Sequence, residues 1–432
     1  MRKLFASVLM IFVLISNTTA GSTLTLDEAL MATMEQNLNV KQAAYSTAVA
    51  ENTSSLANAG LLPRLDLSSG STLISGTTQT AAGAVDYESS TVSASLNASY
   101  TLFNGLQGVS SYKLLNKQTD AAELQERLIT ENTLLTTAGL FVNVLLSQDQ
   151  LMIMKEQLEI SRQRLDQGIQ KRDMGITSSL AALSAQVDFD ADSVAVVEAE
   201  FAYHEAMQNL NLQIGWELGR EYQPQNINMN FGSYVEDHLI QAAMDHNVVY
   251  LLSLNSKDQT DLILKGTMGS ILPKVSVSGS YGAQQSANDF DLGFDNPDLT
   301  TTAGINLSWN LFDGRKKKSI ESGRIMQKSS ELARMESERQ LKRDVESALN
   351  SYKKSLQVLE MKKHSLSAAE LNFRQTSEYY RLGHASSTEF RTAQVNLSMT
   401  KRSEAQARYT AYLAEMNIWQ LTGKLIERTI RF

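Results

Sequence analysis

The decisive stretch is Val345-Glu346-Ser347-Ala348-Leu349-Asn350-Ser351-Tyr352-Lys353-Lys354-Ser355-Leu356-Gln357-Val358-Leu359. Its apolar positions, Val345, Leu349, Tyr352, Leu356 and Leu359, step alternately by four and three. The phase continues at Leu366, Phe373 and Tyr380, with polar Lys363, Glu370 and Ser377 between them. That spacing marks a helix packed lengthwise on another helix. The surrounding run, Asp313 to Leu382, has no proline and holds glycine only near its start, at Gly314 and Gly323. At 1.5 Å per residue, such a helix reaches roughly 100 Å, too long for one ordinary compact domain.

Working outward, the residues before this run form a strand. Ile305, Leu307, Trp309 and Leu311 alternate with polar positions, and Phe312-Asp313-Gly314 ends the alternation. Tyr100-Thr101-Leu102-Phe103-Asn104-Gly105 matches Trp309-Asn310-Leu311-Phe312-Asp313-Gly314 at an offset of 209. Leu62-Pro63-Arg64 matches Leu272-Pro273-Lys274 at 210, and Gly175 matches Gly383 at 208. Ala185-Gln186-Val187 recurs as Ala393-Gln394-Val395 at the same 208. A near-constant offset through landmarks in the same order indicates an internal duplication.

Each half then reads as helix, hairpin, very long helix, tight tip and returning helix. The first repeat spans 21–232, with its hairpin at about 62–103 and its tip at 172–178. The second spans 233–432, with its hairpin at about 272–312 and its tip at 381–387. The first helix is expected to run unbroken from Leu24 to about Gly60. The first hairpin is expected to carry a loop from Gln79 to Ser90, and the second a loop from Ser286 to Leu299. Gly175 is placed to end one helix, and Thr177 or Ser178 to cap the next.

Residues 1–20 read as a signal peptide. Arg2 and Lys3 precede an apolar run from Leu4 to Ile15, and Thr18 and Ala20 suit cleavage after Ala20. No later stretch is expected to be long and apolar enough for a membrane helix, so membrane contact would come through strands. The hairpin strands, apolar on one side and Ser, Thr or Asn on the other, suit lipid on one face and water on the other. Two hairpins supply four strands, too few to close a barrel. Three copies supply twelve.

The chain has no cysteine, and its formal net charge of −8 argues against nucleic-acid binding. His204, His238, His246, His364 and His384 lack metal-ligand spacing, and no metal or other cofactor is expected. No convergent polar constellation suggests an enzyme. Arg315-Lys316-Lys317-Lys318 puts positive charge at the end of a helix that favours anions, and is expected at the periplasmic edge of the barrel, near anionic headgroups.

Taken together and in order, the paired Leu-Pro-Arg/Lys strand starts, the paired Leu-Phe-Asn/Asp-Gly strand exits and the two glycine tips resemble the TolC family of outer-membrane efflux and secretion channels. The resemblance covers nearly the whole chain after residue 20. It implies a mainly α fold with a membrane part: a homotrimer whose twelve-stranded β-barrel continues into a long α-helical barrel. It implies a passive duct in the outer membrane of a Gram-negative bacterium, in contact with outer-membrane lipid and extending into the periplasm. A periplasmic adaptor (membrane fusion) protein and an inner-membrane pump of RND or ABC type would complete a tripartite efflux or type I secretion system.

By the same resemblance, Met174, Gly175, Ile176, Leu382 and Gly383 would meet the adaptor. Glu389 falls where the family has the first of two aperture carboxylates, while Thr392 occupies the second place. Tyr380 matches a gate tyrosine, but its family partners fall on Ala181 and Ala385. Arg172, Asp173 and Arg381 are candidates for a substitute gate contact. The competing reading is a non-conducting, periplasm-spanning coiled coil or adhesin, which would have no use for duplicated amphipathic strands.

Overall fold

The computed structural model describes residues 23–175 and 178–430; the expected signal peptide, Ile176 and Thr177 lie outside them. A short strand β1 (Thr23–Leu24) is followed by helices α1 (Leu26–Gln36) and α2 (Leu38–Thr53). Strands β2 (Arg64–Thr80) and β3 (Gly83–Phe103) lead into α3 (Gln107–Asp173) and α4 (Ser179–Ile214). Strand β4 (Gln223–Pro224) pairs in parallel with β1. The order then recurs as α5 (Glu236–His246), α6 (Val248–Gly269), β5 (Lys274–Ala287), β6 (Asp298–Ser308), α7 (Gly314–Arg381) and α8 (Ser387–Leu421). A short helix, α9 (Leu425–Ile430), follows.

The expected first helix is two helices. Thr25 and Glu28 form a reciprocal capping box at the start of α1. The break falls at Asn37, whose ψ of 129° is extended. Its side-chain oxygen accepts from the backbone N–H of Asn39 at 2.8 Å and of Val40 at 3.2 Å, which caps α2. Asn247 separates α5 from α6 in the same way, accepting from the Tyr250 N–H at 3.0 Å. Apolar periodicity runs through both positions, so it hides the break. The capping chemistry of asparagine decides it.

The four longer strands form one antiparallel sheet in the order β2-β3-β5-β6. The first hairpin departs from expectation: the predicted loop from Gln79 to Ser90 is mostly strand. Thr80 pairs with Gly83 across a turn at Ala81-Ala82, and Gly83 takes a φ of +121°. The small and polar residues there still alternate, which suffices for a β-ladder on a solvated ribbon. The second loop, 288–297, lies close to where it was expected.

The sheet register sorts the side chains onto two faces. Leu67 pairs with Leu96, which pairs with Tyr281; Tyr100 pairs with Val277, which pairs with Ile305. This apolar face is bare, with Leu67 79% and Ile305 74% exposed. The other face carries cross-strand polar contacts such as Ser68–Ser95 at 2.9 Å and Ser280–Thr302 at 2.7 Å. Among the described residues, β2 and β6 have no strand on their outer edges.

The chain forms two compact units. One holds the described residues up to Lys41, Thr130–Glu236 and everything from Glu346. Its core gathers Leu30 of α1, Phe141 and Leu145 of α3, Leu210 and Ile214 of α4, Met416 of α8 and Leu425 of α9. Contrary to expectation, α3 contains a stretch long and apolar enough to cross a membrane by composition, but over half of it is buried inside the protein. The α3 core residues Leu134, Ala138, Val144 and Leu145 explain its apolar character.

In this unit α4 is apolar on two sides. Ala182, Ala185, Val196, Met207 and Leu210 are buried, whereas Leu180, Leu183, Val187, Val194, Val197 and Phe201 are each more than half exposed, at heptad spacing.

The other unit, Gln42–Ile129 with Asp237–Val345, contains the sheet. Here the glycine of the Leu-Phe-Asn-Gly motif has a steric reason. Gly105 has φ +67°, and a Cβ on it would collide with the carbonyl oxygen of Gly269 at the end of α6. Gly105→Ala is expected to destabilise the protein by about 2–5 kcal/mol, the sum of a left-handed backbone and an overpacked contact. Gly70→Ala, at an open strand position, should cost far less. Thermal unfolding of the two variants in the same detergent checks the contrast.

Candidate functional site

The helix ends at Met174–Gly175 and Leu382–Gly383 both turn on a glycine, while the helices that follow them are capped differently. At the first, the Gly175 N–H donates to the Arg172 carbonyl at 2.9 Å, and Gly175 has φ +72°. At the second, the Gly383 N–H donates to the Tyr380 carbonyl at 3.1 Å, the His384 N–H donates to the Tyr379 carbonyl at 2.8 Å, and Gly383 has φ +79°. Left-handed residues of this kind end helices and satisfy their last carbonyls. Neither glycine has anything within 4 Å of an added Cβ, so conformation alone calls for glycine there. Met174 is 69% exposed and Leu382 59%, leaving apolar side chains bare at both turns.

Ser178 occupies the N-cap of α4 but makes no side-chain capping bond. Ser386 forms a full capping box with Glu389: the Glu389 carboxylate accepts from the Ser386 N–H at 2.7 Å and its hydroxyl at 2.8 Å. These bonds from Ser386 hold the Glu389 carboxyl below its ordinary pKa. Glu389 is therefore an exposed, firmly ionised carboxylate whose orientation is set by the helix start.

Among the described residues, the remaining predicted gate residues form no common cluster. Arg172 pairs with its neighbour Asp173 at 2.7 Å, and Arg381 pairs with Glu378 one turn back at 3.0 Å. Both pairs are local and exposed, and such pairs contribute little. Tyr380 does reach across helices: its ring centroid lies 4.8 Å from that of Phe390 on α8, and the Lys171 ammonium sits 5.4 Å above it.

Above these turns lies a cluster that the sequence reading missed. Asp192 of α4, 3% exposed, receives the two Arg391 Nη donors from α8 at 2.6 and 2.9 Å. From α3, Gln157 donates to the same carboxylate at 2.6 Å and Ser161 donates through its hydroxyl. Gln394 of α8 donates to the Gln157 carbonyl at 2.9 Å. Arg164 of α3 pairs with Asp188 of α4, and its buried Nε finds no partner among the described residues. Three helices are thus tied by a bidentate buried ion pair and its satisfied neighbours.

Burial by itself would raise the pKa of Asp192. Hydrogen bonds from Arg391, Ser161 and Gln157 outweigh it and hold the carboxyl below the usual aspartate range. A signal existed: Asp192 falls in phase with Ala182, Ala185 and Val196, a charge in a buried stripe.

The sequence matches the outer membrane efflux protein family over residues 30–215 and 270–424, most of the chain. The chain belongs to that family. No curated protein matches it by sequence. Among solved structures it is similar in fold to the CmeC outer membrane channel of Campylobacter jejuni, with TM-score 0.79 and 14% identity over 93% of this chain and 86% of that one. The outer membrane protein VceC of Vibrio cholerae gives 0.75 and 13%, covering 92% and 96% respectively. The open-state MtrE outer membrane channel of Neisseria gonorrhoeae gives 0.73 and 13%, covering 93% and 89%.

Asp192→Asn leaves the mostly buried charge of Arg391 with only its looser contact to Asp188, at 3.6 Å, and is expected to cost about 3 kcal/mol, the low end for breaking such a pair. Hydrogen exchange across Arg391–Ser398 should rise, and the joint change Asp192→Leu with Arg391→Met should restore much of the protection. Because the folded pKa is depressed, the contribution of Asp192 is complete above about pH 4, the unfolded aspartate value. It disappears as pH falls through the lower folded value. Melting temperature measured against pH checks this: wild type should lose stability below about pH 4 more steeply than Asp192→Asn.

Proposed function

We propose that this chain is one protomer of a trimeric outer-membrane duct, the exit channel of a tripartite efflux or type I secretion system. The observation that carries the reading is the four-stranded sheet with a bare apolar face and two unpaired edges, β2 and β6. Open edges cannot face lipid, so a membrane sheet of this kind must be closed by copies of itself. The second apolar seam of α4 supports the same conclusion, since it lacks a cover within the protomer. The proposed halves, 21–232 and 233–432, would make the helical part quasi-sixfold. A periplasmic adaptor would meet Met174, Gly175, Ile176, Leu382 and Gly383, and an RND- or ABC-type inner-membrane pump would select the cargo. Tyr380, Arg381, Arg172, Asp173 and Glu389 would line the periplasmic aperture, and the duct itself would perform no chemistry.

The duplication specifies the joint between copies. Within the chain, Ser99 of β3 pairs with Ser278 of β5. Applying offsets of 209 to β3 and 210 to β5 places Ser308 of one protomer opposite Ser68 of the next. The chain has no native cysteine, so Ser68→Cys with Ser308→Cys is a clean probe. Oxidation should link three chains and no more, while Leu67→Cys with Ser308→Cys should link poorly. Absence of linkage, or equal linkage one residue out of register, would overturn the closure.

Three Glu389 carboxylates near one axis would concentrate cations. Glutamine also serves at the third position of a capping box, so Glu389→Gln removes charge and keeps the helix start. In planar bilayers the wild-type protein should conduct with cation preference, and Glu389→Gln should reduce that preference by roughly several-fold. An unchanged permeability ratio would remove Glu389 from the aperture. A protein that never inserts would favour the non-conducting coiled coil.

A further inference from the structure

The β2–β3 hairpin outruns the rest of the sheet. β5 pairs with β3 only as far as Ala287 with Ser90, whereas the β2–β3 ladder continues for seven more pairs, from Ile74 with Ser89 to Thr80 with Gly83. Beyond Ser90 the hairpin is a two-stranded ribbon, with no other strand beside it among the described residues.

The chemistry of the two faces changes over at the same level. Below it, one face carries Leu67 with Leu96 and the other Ser68 with Ser95. Side chains alternate strictly along a ladder, so each face can be followed outward. The apolar face continues as Ser75 with Glu88 and Thr77 with Asp86, where the Thr77 hydroxyl donates to the Asp86 carboxylate at 2.6 Å. The polar face continues as Ile74 with Ser89, Gly76 with Tyr87 and Thr78 with Val85. Acids thus stand where lipid contact would end, and apolar groups appear on the side that was polar. The Tyr87 ring lies over Gly76, 3.0 Å from the place of a Cβ, which keeps it on this face. Ile74, Val85 and Tyr87 are nevertheless about half exposed, at 50%, 49% and 47%. The loop after β5 is held elsewhere: the Ser90 hydroxyl, on the opposite face beside Leu73, lies 2.6 and 2.8 Å from the Asp289 and Asp291 carbonyl oxygens.

We propose that the ribbons of three copies fold over the outer mouth of the duct and close it by packing Ile74, Val85 and Tyr87 against their counterparts, as an apolar outer gate. The proposal rests on the reading of the chain as one of three protomers around a membrane barrel. Closure of that ring turns the polar face of the sheet toward the axis, so the apolar stripe that continues it faces the same stripe of the other two copies. The lengths agree. Twelve strands about 4.8 Å apart and tilted by about 40° give a barrel of roughly 12 Å radius. Seven ladder pairs extend about 20 Å, enough to reach the axis. A lone two-stranded ribbon is marginally stable in water, and mutual cover of its apolar side relieves that. A constriction lined in this way stops ions by dewetting until cargo parts it.

The test places one cysteine in the full-length chain, which has none of its own. Tyr87→Cys and Val85→Cys lie on the apolar side of the ribbon, and Glu88→Cys on the other. On oxidation in dilute detergent, the first two should link chains in pairs at least about tenfold faster than Glu88→Cys, because only they share a high effective concentration near the axis. In planar bilayers the oxidised Tyr87→Cys protein should conduct at least about tenfold less than the reduced protein, and reductant should restore the current. Equal linkage on both faces would be collision alone and would overturn the gate, as would linkage that leaves conductance unchanged. The pair Ser68→Cys with Ser308→Cys separates the two readings. If that pair joins three chains while Tyr87→Cys and Val85→Cys stay unlinked, the trimer stands and the gate falls. If none of them links, the trimer reading fails and takes the gate with it.

Discussion

Every backbone N–H and C=O in this protein must find a partner wherever water is excluded, and the sheet is where that demand is greatest. β3 and β5 meet it within the chain, each flanked on both sides. β2 and β6 meet it on one side only. The bare apolar face, with Leu67, Ile305 and Leu307 exposed, makes a water-only setting costly for the same strands. The proposed trimer follows from that demand. The helices carry the same imbalance in another form, because α4 offers apolar seams to two sides and the protomer covers one.

The two helix turns differ in how the following helix is capped. Both use a glycine with positive φ to leave the helix. Among the described residues of the two turns, only Ser386 at the second forms a capping box, and it recruits Glu389 to complete it. A carboxylate held in this way serves the fold and keeps its charge outward, so its structural and proposed electrostatic roles are compatible. The cluster around Asp192 is likewise one-sided: α3 and α4 supply the carboxylate and its amide and hydroxyl donors, and α8 supplies the guanidinium. A buried ion pair is weak evidence for stability, but removing one partner is expensive. Its value here is positional, because bidentate geometry fixes the register of α8 against α3 and α4.

Much of this was legible in the sequence because it depends on periodicity. Steps of three and four along Val345, Leu349 and Tyr352 require a lengthwise helical partner, and all three side chains are buried. Alternation along Ile305 and Leu307 requires a two-faced strand. Breaks set by single residues were harder to read. Asn37 and Asn247 interrupt helices whose apolar pattern continues through them, because a side-chain amide there competes for backbone N–H groups that periodicity does not register. The hairpin turn at Ala81-Ala82 was hidden because small polar residues suit a solvated strand as well as a loop.

The sequence by itself determined the types of the long helices and strands, their order and the chemistry of each strand face, since these follow from local residue patterns. Only the tertiary structure decided which polar residues meet. Arg172, Asp173 and Arg381, the candidates for a substitute gate contact, each close on a neighbour within their own helix, because a partner one residue or one turn away is reached with less loss of side-chain freedom. Asp192 and Arg391, 199 residues apart, meet instead. Packing of three helices brings them together, and burial makes an unpaired charge there too costly to leave.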